Sequence, residues 1–243
     1  MTLRLYHTSD LHDHRGFAPR LRMLRAQQPG LLFDCGDSLR GSQTVYYRRE
    51  PVIAEIDEAG YDAQGMGNRE FHYLFGLLAA RAHRMRHPLL CSNLIDLRGR
   101  ALPFARELTL TYDGWTLRLF SLLVVQYPAG SPWERLFGWR FLDPIEVARE
   151  VAARAEPHEL LVVLSHIGLC MDRQLAAAVP RLDLILGGHS HDLLREPEYV
   201  GRVPIVHAGP YGAFVSCTEF ARTDDGAAVT RAELLPLLRA PAS

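Results

Sequence analysis

The sequence predicts an α/β fold with its working side chains gathered at the carboxyl ends of the strands. Three observations carry this expectation. Short apolar runs of strand length alternate with amphipathic helical stretches. Several of those runs end in a turn that combines glycine with a metal-competent side chain. The chain has 243 residues, 48% of them hydrophobic, enough for one large domain with an ample core.

Leu3 to His7 reads as a first strand, followed by the polar turn TSDLHDH. Pro19 to Gln28 has the spacing of a short amphipathic helix, and Leu31 to Asp34 that of a buried strand ending in CGDS. Pro51 to Ala59 is helical, with Gly60 as its stop. Tyr61 to Met66 is a strand ending in GNRE, Phe71 to Arg86 a helix, and Leu89 to Cys91 a strand. Residues 107 to 125 form two β-rich runs around Asp113-Gly114, the strongest hairpin signal in the chain. Asp143-Pro144 opens a helix through Ala155, with aspartate as N-cap and proline in the first turn.

Leu160 to Leu164, Asp183 to Leu186 and Pro204 to Val206 are apolar strands ending in SHIG, GGHSH and HAGPYG. Val215 to Ala221 and Ala228 to Leu235 close the fold as antiparallel strands around Asp224-Asp225-Gly226. Residues 126 to 142 are the longest irregular segment; aromatic loops of this kind often border a site.

Composition narrows the function classes. A net charge of −1 supplies no bulk field toward nucleic acid or anionic membrane. No apolar run approaches the ~18 residues of a membrane span. The amino terminus lacks the apolar stretch of a secretory signal, so a cytoplasmic location is expected. Cys35, Cys91, Cys170 and Cys217 are scattered without a CxxC pair and read as reduced thiols. All 27 basic residues are arginine, which excludes Schiff-base chemistry on lysine and a Walker-type phosphate loop.

Asp10, His12, Asp37, Asn68, His166, His189 and His191 all follow strands. In open α/β sheets ligands bind outside the carboxyl strand ends. One such residue is ordinarily a cap or a packing group; seven in the same topological position point to a shared metal site. Carboxylates and imidazoles together suit Mn, Zn, Fe, Co or Ni, and one carboxylate can bridge two such ions. Two bridged ions would activate a hydroxide to attack a phosphate ester, with no protein nucleophile required.

These residues resemble the calcineurin-like metallophosphoesterases. The motifs stand here as Asp10-Leu11-His12, Gly36-Asp37, Gly67-Asn68-Arg69-Glu70, His166 and Gly188-His189-Ser190-His191. Stretches such as GYDAQGMGNREF and LDLILGGHSH are most similar to the catalytic domain of bacterial 5′-nucleotidases and 2′,3′-cyclic phosphodiesterases. The resemblance implies a four-layer α-β-β-α sandwich of two mixed sheets. It implies two divalent ions, one on Asp10, His12 and His191, the other on Asn68, His166 and His189, bridged by Asp37. The expected substrate is a small phosphomonoester or diester, nucleotides included. His14 would face the phosphate, and His207 is a candidate support behind the site.

Two departures from the family pattern matter. Arg69 stands where the family has a histidine that contacts phosphate and protonates the leaving group. Three residues on, His72 stands where the nucleotidase branch has aspartate. If 69 to 72 were helical, both would share a face, and His72 would supply the proton while Arg69 held phosphate with Asn68. Otherwise no acid exists, or the protein is an impaired metal- and phosphate-binding regulator. Residues 1–243 are expected to form a single catalytic domain, without the C-terminal domain that clamps the base in nucleotidases. The Tyr127 to Trp139 loop is a candidate local substitute.

Overall fold

The computed structural model describes residues 2–223 and 226–238, so Asp224-Asp225 of the expected final turn lie outside the described residues. In chain order the elements are β1 (Thr2–Thr8), α1 (Ala18–Gln27), β2 (Leu31–Asp34), α2 (Pro51–Ala59), β3 (Ala63–Gly65), α3 (Phe75–Ala82), β4 (Leu89–Leu90), β5 (Leu94–Asp96), β6 (Glu107–Tyr112) and β7 (Trp115–Leu123). They continue with α4 (Pro132–Phe137), β8 (Trp139–Phe141), α5 (Pro144–Arg154), β9 (Glu159–His166), α6 (Leu169–Ala178), β10 (Leu184–Gly187), β11 (Glu198–Val200), β12 (Val203–His207), β13 (Phe214–Thr223) and β14 (Gly226–Pro236).

Two six-stranded mixed sheets result. One runs β14-β13-β1-β2-β3-β4, parallel from β1 to β4 and antiparallel at its β13-β14 end, and the other runs β11-β12-β10-β9-β7-β6, parallel at its centre and antiparallel at both edges. Period-two alternation sorts each central strand into two cores. Leu3, Leu5, Leu31 and Phe33 of the first sheet meet Leu117, Leu119, Val162 and Leu186 of the second. On the outer face of the first sheet, Tyr6 and Leu32 pack on Leu21, Val52 and Leu78 of α1, α2 and α3. On the outer face of the second, Leu161, Val163 and Ile185 pack on Val147 and Leu175 of α5 and α6. The layers are therefore α-β-β-α, as the sequence predicts.

The hairpin at Asp113-Gly114 forms with positive φ at both residues, the requirement of a type I′ turn. Asp143 caps α5 by accepting from the amides of Ile145 and Glu146. Two expectations need correction. The helix anticipated over 71–86 runs only from Phe75 to Ala82. Phe71 and Tyr73 are held outside it: the Phe71 carbonyl accepts from Arg81 at 2.6 Å, and the Tyr73 amide donates to Gln43 at 3.1 Å. The segment 126–142, expected to be irregular, contains α4 and β8, which pairs with β5. Tyr127 donates to the Trp139 carbonyl, and both rings are buried, so most of its aromatic character is spent on the core.

Three histidines are buried and uncharged. His87 lies 2.9 Å from the Gln64 side-chain carbonyl, and burial pushes its pKa down to about 4. His7 bridges the two sheets, contacting Ser216 and the Gly187 carbonyl; burial and His207 push it down to about 3. His72 is pushed down to about 4, first by burial and then by Arg81. Unfolding frees such a group to take up a proton, so stability is complete above the ordinary pKa of ~6.5 and is lost as pH falls through the folded value. These histidines should therefore withdraw stability between pH 6.5 and 4, opposed by buried Asp34, whose carboxyl is pushed up to about 7 by burial and takes up its proton in the folded state over the same range. Urea midpoints across this range check it: His87→Gln should flatten the slope, and an unchanged slope would remove His87 from the effect.

Candidate metal centre

The parallel strands β1, β2 and β3 of one sheet and β9 and β10 of the other deliver seven side chains to one end of the sandwich. Asp10 and His12 follow β1, Asp37 follows β2 and Asn68 follows β3; His166 ends β9, and His189 and His191 follow β10. Nε2 of His191 lies 3.5 Å from an Asp10 carboxylate oxygen and 3.2 Å from Nε2 of His12. Nε2 of His12 is 3.8 Å and Nε2 of His166 3.3 Å from the Asp37 carboxylate. Asp10, His12 and His191 form one group with metal-ligand spacing; Asp10, Asp37 and His166 form a second, overlapping one. Asn68 and His189 stand at 3.5 Å from each other, and the His189 ring is 5.0 Å from that of His166.

Backbone strain marks the same residues. Asp10, His12, Asp37, His189 and His191 have φ of 53°, 51°, 59°, 74° and 59°. Left-handed backbone at non-glycine residues costs about 1–3 kcal/mol each and persists only where neighbours over-determine it. Here the turns brace one another. The amides of Asp10 and His12 donate to the carbonyls of Gly36 and Asp37, Tyr211 donates to the Asp10 carbonyl, and the His189 amide donates to the Asp10 carboxylate. A β-carbon on Gly67 would collide with the Asp37 amide, so the third turn can close on the second only with glycine there.

Glu70 is the largest contributor that sequence reasoning passed over. Fully buried, it accepts from the backbone amides of Gly67, Asp37, Ser38 and Leu39 at 2.7–3.2 Å. Asp34 plays a similar part, accepting from Thr8, Gly36, Ser38 and Gln64. The available signal was an acidic residue beside a ligand turn, Glu70 closing GNRE and Asp34 preceding CGDS. Gln126 was also missed: its side chain donates to Asn68 at 2.9 Å and accepts from Gln43 at 3.1 Å.

The donor set fits a divalent cation. Two imidazole nitrogens facing each other at 3.2 Å cannot both be protonated without repulsion, and a cation between them satisfies both. Nε2 of His166 is buried without a hydrogen-bond partner, while its Nδ1 is fixed on the Cys35 carbonyl at 2.7 Å. That fixed tautomer is what metal-ligating histidines require. Burial pushes the Asp37 carboxyl up, but the pull of His166 and the Arg69 amide outweighs it and holds the group well below the usual range.

The remaining expected residues are placed as follows. The Arg69 guanidinium sits 3.9 Å from Asp37, and its other end reaches the carbonyls of Leu39 and Arg40. His72 does not join it. No helix runs from 69 to 72, so the shared-face premise fails; the ring is buried, and its Nδ1 accepts from the Leu74 amide. His14 is exposed at the rim, with its ring 4.6 Å from Tyr211, whose own ring is 5.6 Å from those of His12 and His191. His207 is buried behind β10 and paired with Asp172 at 2.8 Å, and Asp172 in turn accepts from Ser165, the residue before His166. A cavity of about 580 Å³ is lined by Trp115, Glu159 and Asp183 at the opposite, amino ends of β7, β9 and β10, and none of these groups lines it.

Two mixed sheets thus carry candidate metal-ligand turns at one end of the sandwich. No family profile matches the chain. An uncharacterized metallophosphoesterase of Bacillus subtilis (strain 168), YunD, is 31% identical over 89% of this chain and 49% of its own length. The 5′-nucleotidase of Rattus norvegicus is 30% identical over 85% of this chain and 36% of its own length. Among solved structures, the 5′-nucleotidase precursor of Thermus thermophilus superposes with a TM-score of 0.81 at 24% identity, covering 98% of this chain and 55% of that one. The chain belongs to the calcineurin-like metallophosphoesterases. It spans half or less of the length of these curated relatives. Among the described residues, no helix is long and apolar enough to cross a membrane.

Proposed function

We propose that this chain hydrolyses small phosphomonoesters or diesters, nucleotides among them, with two divalent ions at the strand ends. Asp10, His12 and His191 would hold one ion, Asn68, His166 and His189 the other, and Asp37 both. The facing imidazoles of His12 and His191 beside two carboxylates support this most directly. When bound, the ions supply Lewis-acid polarisation of the phosphoryl oxygens and a water acidic enough to react at neutral pH.

The chain's own residues do the rest. Glu70 and Asp34 hold the turns so that the ligands are preorganised. Arg69, charged and beside Asp37, contacts phosphate oxygens and offsets the charge that develops on them. A guanidinium is no general acid, so the proton for the leaving group would have to come from elsewhere. A regulatory protein that binds metal and phosphate without turnover is the second reading, and Arg69 is what favours it. Elemental analysis with a matrix of metals against phosphomonoesters, diesters and cyclic nucleotides separates the two. Bound metal with no turnover on any of them would sink the enzyme.

The acid-free site makes a further prediction. Loss of a general acid costs ~10²–10⁴-fold, and the cost falls on leaving groups that need protonation. p-Nitrophenyl phosphate should therefore outpace phenyl phosphate by about that factor in kcat/KM, and Arg69→His should narrow the gap. Equal rates on the two esters in the unmodified protein would show that a proton donor is present.

A further inference from the structure

Beside the ligands lies a cavity of about 390 Å³. His12, Asp37 and Asn68 border it on one side, Arg69, Arg40 and Tyr47 on the other. The second wall comes from residues 40–50, a compact loop between the Asp37 turn and α2. Its ends meet where the Arg40 amide donates to the buried Glu50 carboxylate at 2.9 Å. Its middle is tied down by Arg81 of α3. That side chain is wholly buried and donates to the carbonyls of Ser42 at 2.9 Å and Val45 at 2.6 Å, and to Phe71 on its other nitrogen. A β-carbon on Gly41 would collide with the Arg81 guanidinium, so the loop sits this close only because residue 41 is glycine. A buried cation spending its donors on loop carbonyls is a costly device, and its effect is to fix the loop's geometry.

The fixed loop presents an aromatic ring. The Arg40 guanidinium lies over Tyr47, 4.5 Å from the ring centroid, and both side chains line the cavity. Tyr47 is only half-buried, whereas in the Tyr127 to Trp139 loop that was expected to substitute for a base clamp Tyr127 and Trp139 are consumed by the core and exposed Trp133 does not line this cavity. With Arg69, the wall carries two guanidinium groups and one phenol ring, and the only carboxylate lining the cavity is Asp37. Such a surface attracts an anion and stacks a flat ring.

We propose that Tyr47, held by Arg40, is the specificity-determining surface for the leaving group, and that it selects phosphate esters carrying a planar aromatic ring. This rests on the phosphoesterase reading above. A phosphate at the metal ligands, with Arg69 on its oxygens, places the leaving group in this cavity, against Tyr47. Stacking accepts any flat ring, so the loop would favour nucleosides over sugars without choosing among bases.

AMP and ribose 5-phosphate share a leaving oxygen and differ in the base, which isolates the ring. Tyr47→Ala should raise KM for AMP by about tenfold with little change in kcat, since stacking on one ring typically contributes that much. Ribose 5-phosphate should be unaffected, and Tyr47→Phe should behave as the unmodified protein. Binding of adenosine, which has no phosphate, is the independent readout by calorimetry: it should weaken by the same factor in Tyr47→Ala. If no ester is hydrolysed but adenosine binds through Tyr47, the phosphoesterase reading fails and the ring surface stands. Equal KM changes for AMP and ribose 5-phosphate would overturn the proposal. So would unaltered adenosine binding in Tyr47→Ala, or a loss seen in Tyr211→Ala instead.

Discussion

Asp37→Asn should remove most bound metal and lower phosphoesterase activity by about 10³-fold or more, the scale of the several kcal/mol that metal ions supply. In the proposed arrangement Asp37 contacts both ions: its carboxylate lies 3.3 Å from His166 and 3.8 Å from His12. Asparagine keeps the shape and loses the charge. Its backbone requirement is also met, because asparagine tolerates the left-handed conformation that residue 37 adopts at φ 59°. Its side-chain oxygen can still accept from the Arg69 amide, which donates to Asp37 at 2.8 Å. The fold should survive, so the loss reads on metal and not on stability. Elemental analysis and turnover on one preparation check it, with circular dichroism as the fold control. Full metal content in the variant would remove Asp37 from its bridging position.

Glu70→Gln should lower the melting temperature by roughly 10 °C and weaken metal binding together. The Glu70 carboxylate receives four amides from two turns, one of which carries Asp37 and the other Asn68. Hydrogen bonds to a charged acceptor contribute about 1.5–3 kcal/mol each, and a buried donor left unmatched costs a comparable amount. Glutamine replaces one acceptor oxygen with an amide that faces backbone donors. At least one turn must then give way, and Gly36 and Gly67, whose backbones pack against each other, would separate. Thermal melts with metal titration test this. An unaltered metal affinity in a destabilised variant would assign Glu70 to folding alone.

Much of the candidate site was legible because a divalent metal accepts few residue types and the fold places those residues after strands. Asp10, His12, Asp37, Asn68, His166, His189 and His191 could be named from their position after apolar runs, and the structure gathers all seven at one end. The α/β class was likewise written in the apolar runs and the hairpin in Asp113-Gly114, while the two-sheet layering followed from the family resemblance. His72 was misplaced because a helical period was extended through residues that tertiary contacts hold open. Periodicity cannot register that Arg81 holds the Phe71 carbonyl, or that Gln43 holds the Tyr73 amide. The 126–142 segment looked irregular because α4 and β8 are short, and β8 exists through its pairing with β5, some 45 residues earlier in the chain.

By itself, then, the sequence determined the class of fold, the side-chain chemistry of the ligand turns and the absence of a titratable acid at position 69. These are local properties: hydrophobic period, glycine at turns and the ionisation range of a side chain. Only the tertiary structure decided which buried groups brace the turns, where His72 points its hydrogen bonds, and that Tyr47 lines the cavity beside the candidate ligands. Those depend on contacts between residues far apart in sequence, such as Glu70 with Ser38 and Arg81 with Val45. The physical reason is that a buried charge must find its partners wherever the packed chain brings them, and no local pattern records which partners those will be.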